Sequence, residues 1–525
     1  MLAFASGVVF AASTPPTDFQ PGILIGLVGF ALALLLLFAG DEEKVVRAGA
    51  WRGFSFGLAA NLVALRFVPE VIARFTGLPA IAGWVALVLL SAAQALPWAI
   101  GAALTAWLAR PPMGARRRRV PGFIAYGIGV FAATFVPAVF PWTPAGGLAR
   151  WPVLLQTAEL LGERGTSFLV AIACALVADA MARALATHPA PPNERLQLVA
   201  RAVTRPLGFG IAMFALLVAY GSMRMRAVEA LRAAAPHAKV ALLQPDFDAT
   251  FRWDERKAHL MMERLSALTK RAEAEGAVLT IWPESAYPYT LAHGVKSSPF
   301  GARAVLQDGV RGPVLTGAYL KKGGGLGTNS AILVEPDGAI GPSYDKRHLL
   351  WFGETVPLAD SFPILRKIFA RGTGLEPGRT SVAFRAGPIV ATVLNCYEDT
   401  LPQAGREAME ARPNLLVNIT NDAWFVGSAE GELHLRLAVL RAIEARRDLV
   451  RAVNRGPTTW VDAVGRVVAR RDSTPDIGAP PPLLADAALL DAPITLYTRF
   501  GDAPLVLLIV LSITLASVRR SRRGS

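Results

Sequence analysis

Three short segments carry side chains whose types suit covalent acyl chemistry. In AVLTIWPESAYP (277–288) an apolar, β-rich run ends at Trp282-Pro283 and delivers Glu284 at a strand's C-terminal end, where α/β proteins collect their sites. In SYDKRHLLWFGETVPL (343–358) Lys346 lies in a polar cluster beside an apolar stretch, and Glu354 follows in a Gly-Glu turn before Pro357. In PIVATVLNCYEDTLP (388–402) a β-branched strand from Ile389 to Leu394 runs into Asn395-Cys396-Tyr397-Glu398, with a helix expected from near Pro402. A residue on a tight strand-to-helix turn is presented outward, as nucleophiles are. Each segment also has a plainer reading: Glu284 as a loop glutamate, 345–348 as a solvated charge run, Cys396 as a small core hydrophobe. Taken together they supply an acid/base, a cation and a nucleophile. A carboxylate can take a thiol proton and later return it, and an ammonium can lower a thiol pKa and stabilise a tetrahedral oxyanion. That combination suits acyl transfer through a thioester.

The elements that must position these groups divide the chain in two. The 525 residues are 53% hydrophobic and 18% charged, with a mean hydropathy of +0.39. Those figures exclude a disordered chain, a collagen-like fibre and an ordinary soluble enzyme. Before about residue 223 the sequence is mostly apolar runs, at 22–40, 50–68, 79–109, 120–140, 164–187 and 206–222. Each is near or above the roughly 20 residues a helix needs to cross the hydrocarbon. The opening LAFASGVVFAAS lacks a basic leading region and reads as a short first membrane helix rather than a signal peptide. The run 79–109, with Pro97 inside, reads as one long helix. From 223 to 502 short β-rich runs alternate with amphipathic helices, as in a soluble α/β domain, and the Pro-rich 473–485 stretch reads as a loop. A final apolar run, 503–518, is followed by Arg519, Arg520, Arg522 and Arg523. The expectation is a membrane domain at 1–222 with about seven helices, a catalytic domain at 223–502, and a C-terminal membrane helix with a basic tail at 503–525.

The formal charge is +14, which in a soluble protein would suggest nucleic acid. Here 223–502 holds 34 Lys+Arg against 31 Asp+Glu, a net of +3 that leaves +11 for the membrane part. With eight spans, one set of loops gathers Lys44, Arg47, Arg110, the Arg116–Arg119 block, Arg195, Arg201, Arg205 and the terminal arginines, and the opposite set only Arg74, Arg150 and Arg164. Positive loops stay cytoplasmic, so both termini are expected inside and the 223–502 domain outside. The charge marks orientation; no nucleic-acid partner is expected. Of the two cysteines, Cys174 falls in an apolar run, so Cys396 reads as a free thiol in an oxidising compartment. Two cysteines exclude a disulfide scaffold or multi-cysteine metal site. No nucleotide loop or zinc signature appears, His348 and His434 read as structural, and neither metal nor cofactor is expected.

WPES around Glu284, DKRHLLWFGETVPL and NCYED resemble the Glu-Lys-Cys motifs of the nitrilase (carbon–nitrogen hydrolase) superfamily. NITNDAWFVGS (418–428) and HLRLAVLRAIEARRDLVRAVNRG (434–456) are two further matching blocks. With several N-terminal spans and one C-terminal span around such a domain, the whole chain resembles the apolipoprotein N-acyltransferase family of bacterial inner membranes. The resemblance implies an αββα sandwich facing the periplasm. It implies a ping-pong transfer of an acyl chain from a phospholipid, typically phosphatidylethanolamine, to the α-amino group of the diacylglyceryl-modified N-terminal cysteine of apolipoproteins. Carried over by motif, Cys396 is the nucleophile, Glu284 the general base and Lys346 the oxyanion-stabilising cation. Glu354 supports the base, and Tyr397 and Glu398 shape the site. Trp253 matches a tryptophan in a loop over the pocket, and Trp351 and Phe352 are candidate substrate contacts. Trp351 stands where the family commonly has a proline.

Two other functions compete. A membrane-tethered amidase with a small substrate would use the same motifs, with water resolving the thioester; the membrane spans argue for a lipid substrate. A polytopic transporter or assembly factor with a non-catalytic outer domain should carry intramembrane ionisable residues. Asp179, with Arg66 and Arg183 near span ends, is thin support for one.

Overall fold

The structure, a computed structural model, describes residues 1–524 except 40–43, 77, 111–119, 188–191, 249–254, 308, 324–325, 352, 357–358, 360, 365–373 and 474–477. Two units separate, Met1–Met225 with Phe500–Ser525, and Arg226–Arg499.

The first unit is helical. Its helices are α1 (Leu2–Ala11), α2 (Gly22–Leu35), α3 (Val45–Ala64), α4 (Val68–Thr76), α5 (Ala80–Ala109), α6 (Gly122–Ala133), the single turn α7 (Pro144–Gly147), α8 (Ala158–Ala186) and α9 (Pro192–Ala234). Among the described residues three helices, Ala80–Ala109, Ala158–Ala186 and Leu196–Ala234, are long and apolar enough to cross a membrane, and the bent pair Val45–Ala64 and Val68–Arg74 makes a fourth if counted as one span. The helices at 2–11, 22–35 and 122–133 are shorter than the runs that contain them. The run 79–109 forms one continuous helix through Pro97.

Helix α3 lies close against α5 because its facing residues are small: a Cβ on Gly53 would run into the Trp98 carbonyl. Two polar side chains in this packing, Asn61 and Gln94, satisfy each other as apolar surroundings favour. Gln94 Nε2 donates to Asn61 Oδ1 at 2.9 Å, and Gln94 Oε1 accepts from the Phe140 N–H at 2.7 Å. Helix α8 begins six residues before the apolar run at 164 and takes in buried Glu159 and Glu163, so Asp179 is not the only acidic residue there. Glu159 pairs with Arg224 at 2.6 Å, and Glu163 accepts from the Thr143 hydroxyl.

The second unit is a two-sheet sandwich. Strands β1 (His237–Leu242), β2 (Leu279–Ile281), β3 (Thr290–Ala292), β4 (Val314–Lys321), β5 (Gly327–Val334) and β6 (Tyr344–Asp345) form one sheet with β13 (Leu483–Ala488) at its edge; the order is β13-β1-β2-β4-β5-β6, with β3 beside β4. The other sheet takes β7 (Phe384–Ala386), β8 (Ile389–Asn395), β9 (Leu415–Thr420), β10 (Asp448–Val453), β11 (Thr458–Val461) and β12 (Val467–Arg471) in reverse order. Its central strands β8, β9 and β10 are parallel. They read as near-continuous apolar runs because both faces are covered.

Val240, Ile281, Leu315 and Leu333 of one sheet meet Ile389, Val393, Val417 and Val450 of the other in a buried core. On the outer face of the first sheet, α10 (Ala258–Ala274) packs Met261, Met262 and Leu265 against Trp282, Val314 and Ile332. Helices α11 (Pro402–Ala408) and α12 (Glu430–Ala445) cover β8 and β10. The layer order is αββα. Part of the Pro-rich 473–485 stretch is not loop: Leu483, Leu484 and Ala485 pair antiparallel with β1. Helices α13 (Leu496–Phe500) and α14 (Ala503–Gly524) end the chain.

Candidate active site

Glu284, Lys346 and Cys396 are each delivered by the C-terminal end of a strand. Glu284 follows β2 after Trp282, whose indole Nε1 donates to Thr269 Oγ1 at 2.9 Å and ties the strand end to α10. The Glu284 backbone crosses directly over β4, and only a glycine there permits it: a Cβ on Gly317 would meet the Ser285 nitrogen and lie 2.7 Å from Glu284 Cα. Lys346 follows β6, with its N–H donating to the Asn329 carbonyl and its carbonyl accepting from Gly378, both at 2.8 Å. Cys396 follows β8 at φ +54, in the left-handed region that costs a non-glycine residue on the order of 1–2 kcal/mol.

These strand ends bring Glu284, Lys346 and Glu354 into contact. Lys346 Nζ lies 2.7 Å from Glu354 and 3.5 Å from Glu284, with the lysine 1% exposed. Burial alone would push this ammonium's pKa down; Glu354 and then Glu284 outweigh it and hold the pKa well above the usual lysine value. Burial favours neutral Glu354, but Lys346 and the Leu350 N–H bring its carboxyl below the usual range. The Cys396 thiol feels the same charges. Burial and Glu284 push its pKa well up, and Lys346 opposes them without prevailing. The lysine therefore does not lower the thiol pKa below its ordinary value, and the resting group is a neutral thiol that needs a base to react.

Glu398 joins the Lys346 loop to the Cys396 turn. Its carboxyl oxygens accept from Tyr344 Oη at 2.7 Å, from the Arg347 and His348 N–H groups at 2.8 and 3.0 Å, and from the Asn395 N–H at 2.7 Å. Burial raises its pKa, and the donors at Asn395, Tyr344 and His348, together with the Lys346 charge, oppose that rise without cancelling it. Tyr397 is half-buried, and burial takes its hydroxyl up to about 12 against the pull of Lys346. Trp351 is exposed beside this loop; Trp253 and Phe352 lie outside the described residues.

The structure adds a residue that the motifs did not disclose. Asn329, on β5, donates through Nδ2 to both Glu284 Oε1 and Glu354 Oε1 at 2.7 Å and accepts at Oδ1 from Asn395 Nδ2 at 3.2 Å. It therefore links both glutamates to the residue that precedes Cys396. The one available signal was Thr328-Asn329-Ser330, three polar residues opening an otherwise apolar strand.

Ligand atoms of Asp422, Glu430 and His434 lie within 4.8 Å of one another, a spacing open to a metal ion. The donor set does not fit one: His434 Nδ1 faces Asp422 Oδ1 at 3.1 Å and Nε2 faces Asp399 Oδ1 at 2.7 Å. A ring whose two nitrogens both face carboxylates carries hydrogen on both and offers no lone pair.

Comparison with known proteins follows the same two-part division. Residues 239–477 match the carbon–nitrogen hydrolase family, and residues 6–176 match the apolipoprotein N-acyltransferase N-terminal domain. The apolipoprotein N-acyltransferase of Geobacter metallireducens is 30% identical, across 96% of this chain and 91% of that protein. That of Caulobacter vibrioides is 29% identical, across 100% and 95%. Among solved structures, an amidase from Nesterenkonia sp. aligns with 52% of this chain and 95% of its own at 18% identity and a TM-score of 0.37.

Proposed function

The chain belongs to the apolipoprotein N-acyltransferase family, and from that premise we propose that Cys396 carries the acyl chain between two lipid substrates. The enzyme is an acyltransferase whose acceptors are apolipoproteins. In the first half-reaction the Cys396 sulfur attacks an ester carbonyl of a phospholipid, phosphatidylethanolamine being the expected donor, as the thiol proton passes to Glu284. The oxyanion forms facing the Lys346 ammonium, the C–O bond breaks, and the proton leaves on the lysophospholipid oxygen. In the second half the neutral α-amino group of the diacylglyceryl cysteine attacks the thioester and gives its proton to Glu284. Glu284 passes that proton to the departing sulfur, leaving an amide and a regenerated thiol.

The observation that supports this reading best is the buried Lys346 held between Glu284 and Glu354, with their charges acting on a cysteine in a left-handed turn. A thiol held neutral by burial needs a base in the same step as attack, which is the role given to Glu284. Glu354 holds Lys346 in place, and Tyr397 and Glu398 hold the turn. Trp253, Trp351 and Phe352 are proposed to contact acyl chains. Each substrate's chains hold it in the bilayer by about 0.8 kcal/mol per buried methylene, so the site must work at the membrane surface. Eight spans, cytoplasmic termini and a periplasmic catalytic domain in the inner membrane complete the reading, supported by the loop charges and the apolar helices.

The test is a Cys396→Ala enzyme supplied with phospholipid and a diacylglyceryl peptide. Wild type should accumulate a hydroxylamine-sensitive acyl adduct when the acceptor is withheld, and the variant should form neither adduct nor product. Normal N-acylation by Cys396→Ala would overturn the mechanism.

A further inference from the structure

A second buried charge cluster touches the nucleophile's turn, and the mechanism above does not use it. Its centre is His434, on the second turn of α12, 5% exposed. The ring is fixed at both ends by carboxylates, Asp399 Oδ1 at 2.7 Å from Nε2 and Asp422 Oδ1 at 3.1 Å from Nδ1. Nε2 also lies 3.3 Å from the carbonyl oxygen of Cys396 itself. Asp399 is anchored in turn: its Oδ2 accepts from Arg451 Nε at 2.9 Å, and both residues are fully buried. Asp422 has Thr420 Oγ1 at 3.4 Å. Glu430, beside Asp422, is pushed up to about 8 by burial and by that neighbouring carboxylate.

The groups facing the ring are therefore Asp399, Asp422 and Glu430, with Arg451 behind Asp399. Burial alone would discharge the imidazole; Asp399 and then Asp422 reverse this and keep it protonated. A doubly protonated ring can only donate, and besides the two carboxylates the acceptor within its reach is the Cys396 carbonyl. That carbonyl has a second donor, Asn418 Nδ2 at 3.1 Å, which also serves the Leu394 carbonyl at 3.0 Å. Because the peptide is planar, two donors on the carbonyl fix the Cys396–Tyr397 amide plane. They thereby hold the left-handed cysteine, whose conformation is costly unless its surroundings over-determine it.

We propose that His434 is a positioning residue for acyl transfer: protonated between Asp399 and Asp422, it donates to the Cys396 carbonyl and holds the nucleophile in its left-handed turn. The inference rests on Cys396 being the nucleophile, as proposed above. It gives the Asp399–Arg451 pair a purpose, since that pair aims the ring at the turn.

The test measures single-turnover formation of the acyl adduct from phospholipid by His434→Ala, His434→Gln and Asp399→Asn enzymes, with melting temperature recorded for each. In His434→Ala the acylation rate should fall about 10²-fold, the cost of a misplaced reacting group, while the donor concentration at half-maximal rate changes less than about threefold. His434→Gln restores an N–H donor and should recover at least about tenfold of that loss. In Asp399→Asn the carboxylate that keeps Nε2 protonated is gone. The neutral ring keeps its hydrogen toward Asp422 and turns a lone pair toward the Cys396 carbonyl, so a new loss of rate should appear as pH rises between about 6 and 9, around the ordinary histidine value. Wild type should show no such limb.

A wild-type acylation rate in His434→Ala overturns the inference. So do equal losses in the Ala and Gln variants that follow melting temperature alone, or an Asp399→Asn profile parallel to wild type. If Cys396→Ala still acylates, the reading beneath fails instead; if Cys396→Ala is dead and the His434 variants are normal, this inference alone fails.

Discussion

At the scale of single residues, the site is governed by which charge wins at the sulfur. Lys346 is permanently charged because two glutamates outweigh its burial, and its attraction for a thiolate is correspondingly spent on Glu354 and Glu284. Glu284 is therefore given two opposed tasks: it raises the thiol pKa in the resting enzyme, and in the proposed reaction it accepts the proton at the moment of attack. Glu284→Gln should separate them. With that negative charge gone, Lys346 acts on the sulfur with less opposition, so iodoacetamide should alkylate Cys396 faster at pH 8 than in wild type. Acyl transfer by the same variant should fall about 10²–10⁴-fold, the usual value of a general base. Slower or unchanged alkylation would show that the Glu284 charge does not reach the thiol. Asn329 and His434 belong to this scale too, and neither stood out in the sequence. The side-chain partners of Asn329 are 45, 25 and 66 residues away, and the partners of His434 are 35, 38 and 12 away. A polar residue opening a strand, or a histidine on a helix, reveals its task only when those distant segments meet.

At the scale of elements, the site is an arrangement of strand ends, and the strands were legible because their side chains are β-branched, apolar and bounded by turns. β8 and its turn stand where the 388–402 segment predicts them, since the run from Ile389 to Leu394 is buried throughout the sandwich except at half-buried Val390. The start of α8 was hidden because Glu159 and Glu163 break the apolar run, although each is paired inside the bundle. β13 was hidden because prolines precede it, and it is tolerated as an edge strand whose ladder begins after them. Positioning of Glu284 depends on the closeness of β4, which Gly317 alone allows. Gly317→Ala should push the Glu284 backbone outward and lower acyl transfer about 10²-fold. Gly341→Ala, where an added Cβ meets nothing within 4 Å, should leave it unchanged. Equal activity of the two variants would mean that the approach of β4 does not set the position of the base.

At the scale of the whole molecule, composition separates into two parts. The Arg226–Arg499 unit has buried cores of its own between and outside its sheets. The other unit leaves large apolar side chains such as Ile81, Trp84, Leu89 and Phe209 exposed, a burden that water does not tolerate over so wide a surface. Most of the +14 charge, a net of +11, lies outside residues 223–502 and leaves that segment almost neutral. The orientation can be read by labelling single cysteines with a membrane-impermeant maleimide in a Cys174→Ala, Cys396→Ser background, in intact cells whose outer envelope has been made permeable. Lys296→Cys, exposed on the sandwich unit, should label without lysis, because a periplasmic catalytic domain presents it to the reagent. Arg117→Cys, within the four-arginine block, should label only after the inner membrane is broken, because positive loops are retained in the cytoplasm. The reverse pattern would place Cys396 on the side where glutathione and thioredoxin keep thiols reduced. It would also put the site on the wrong face of the membrane for the proposed reaction.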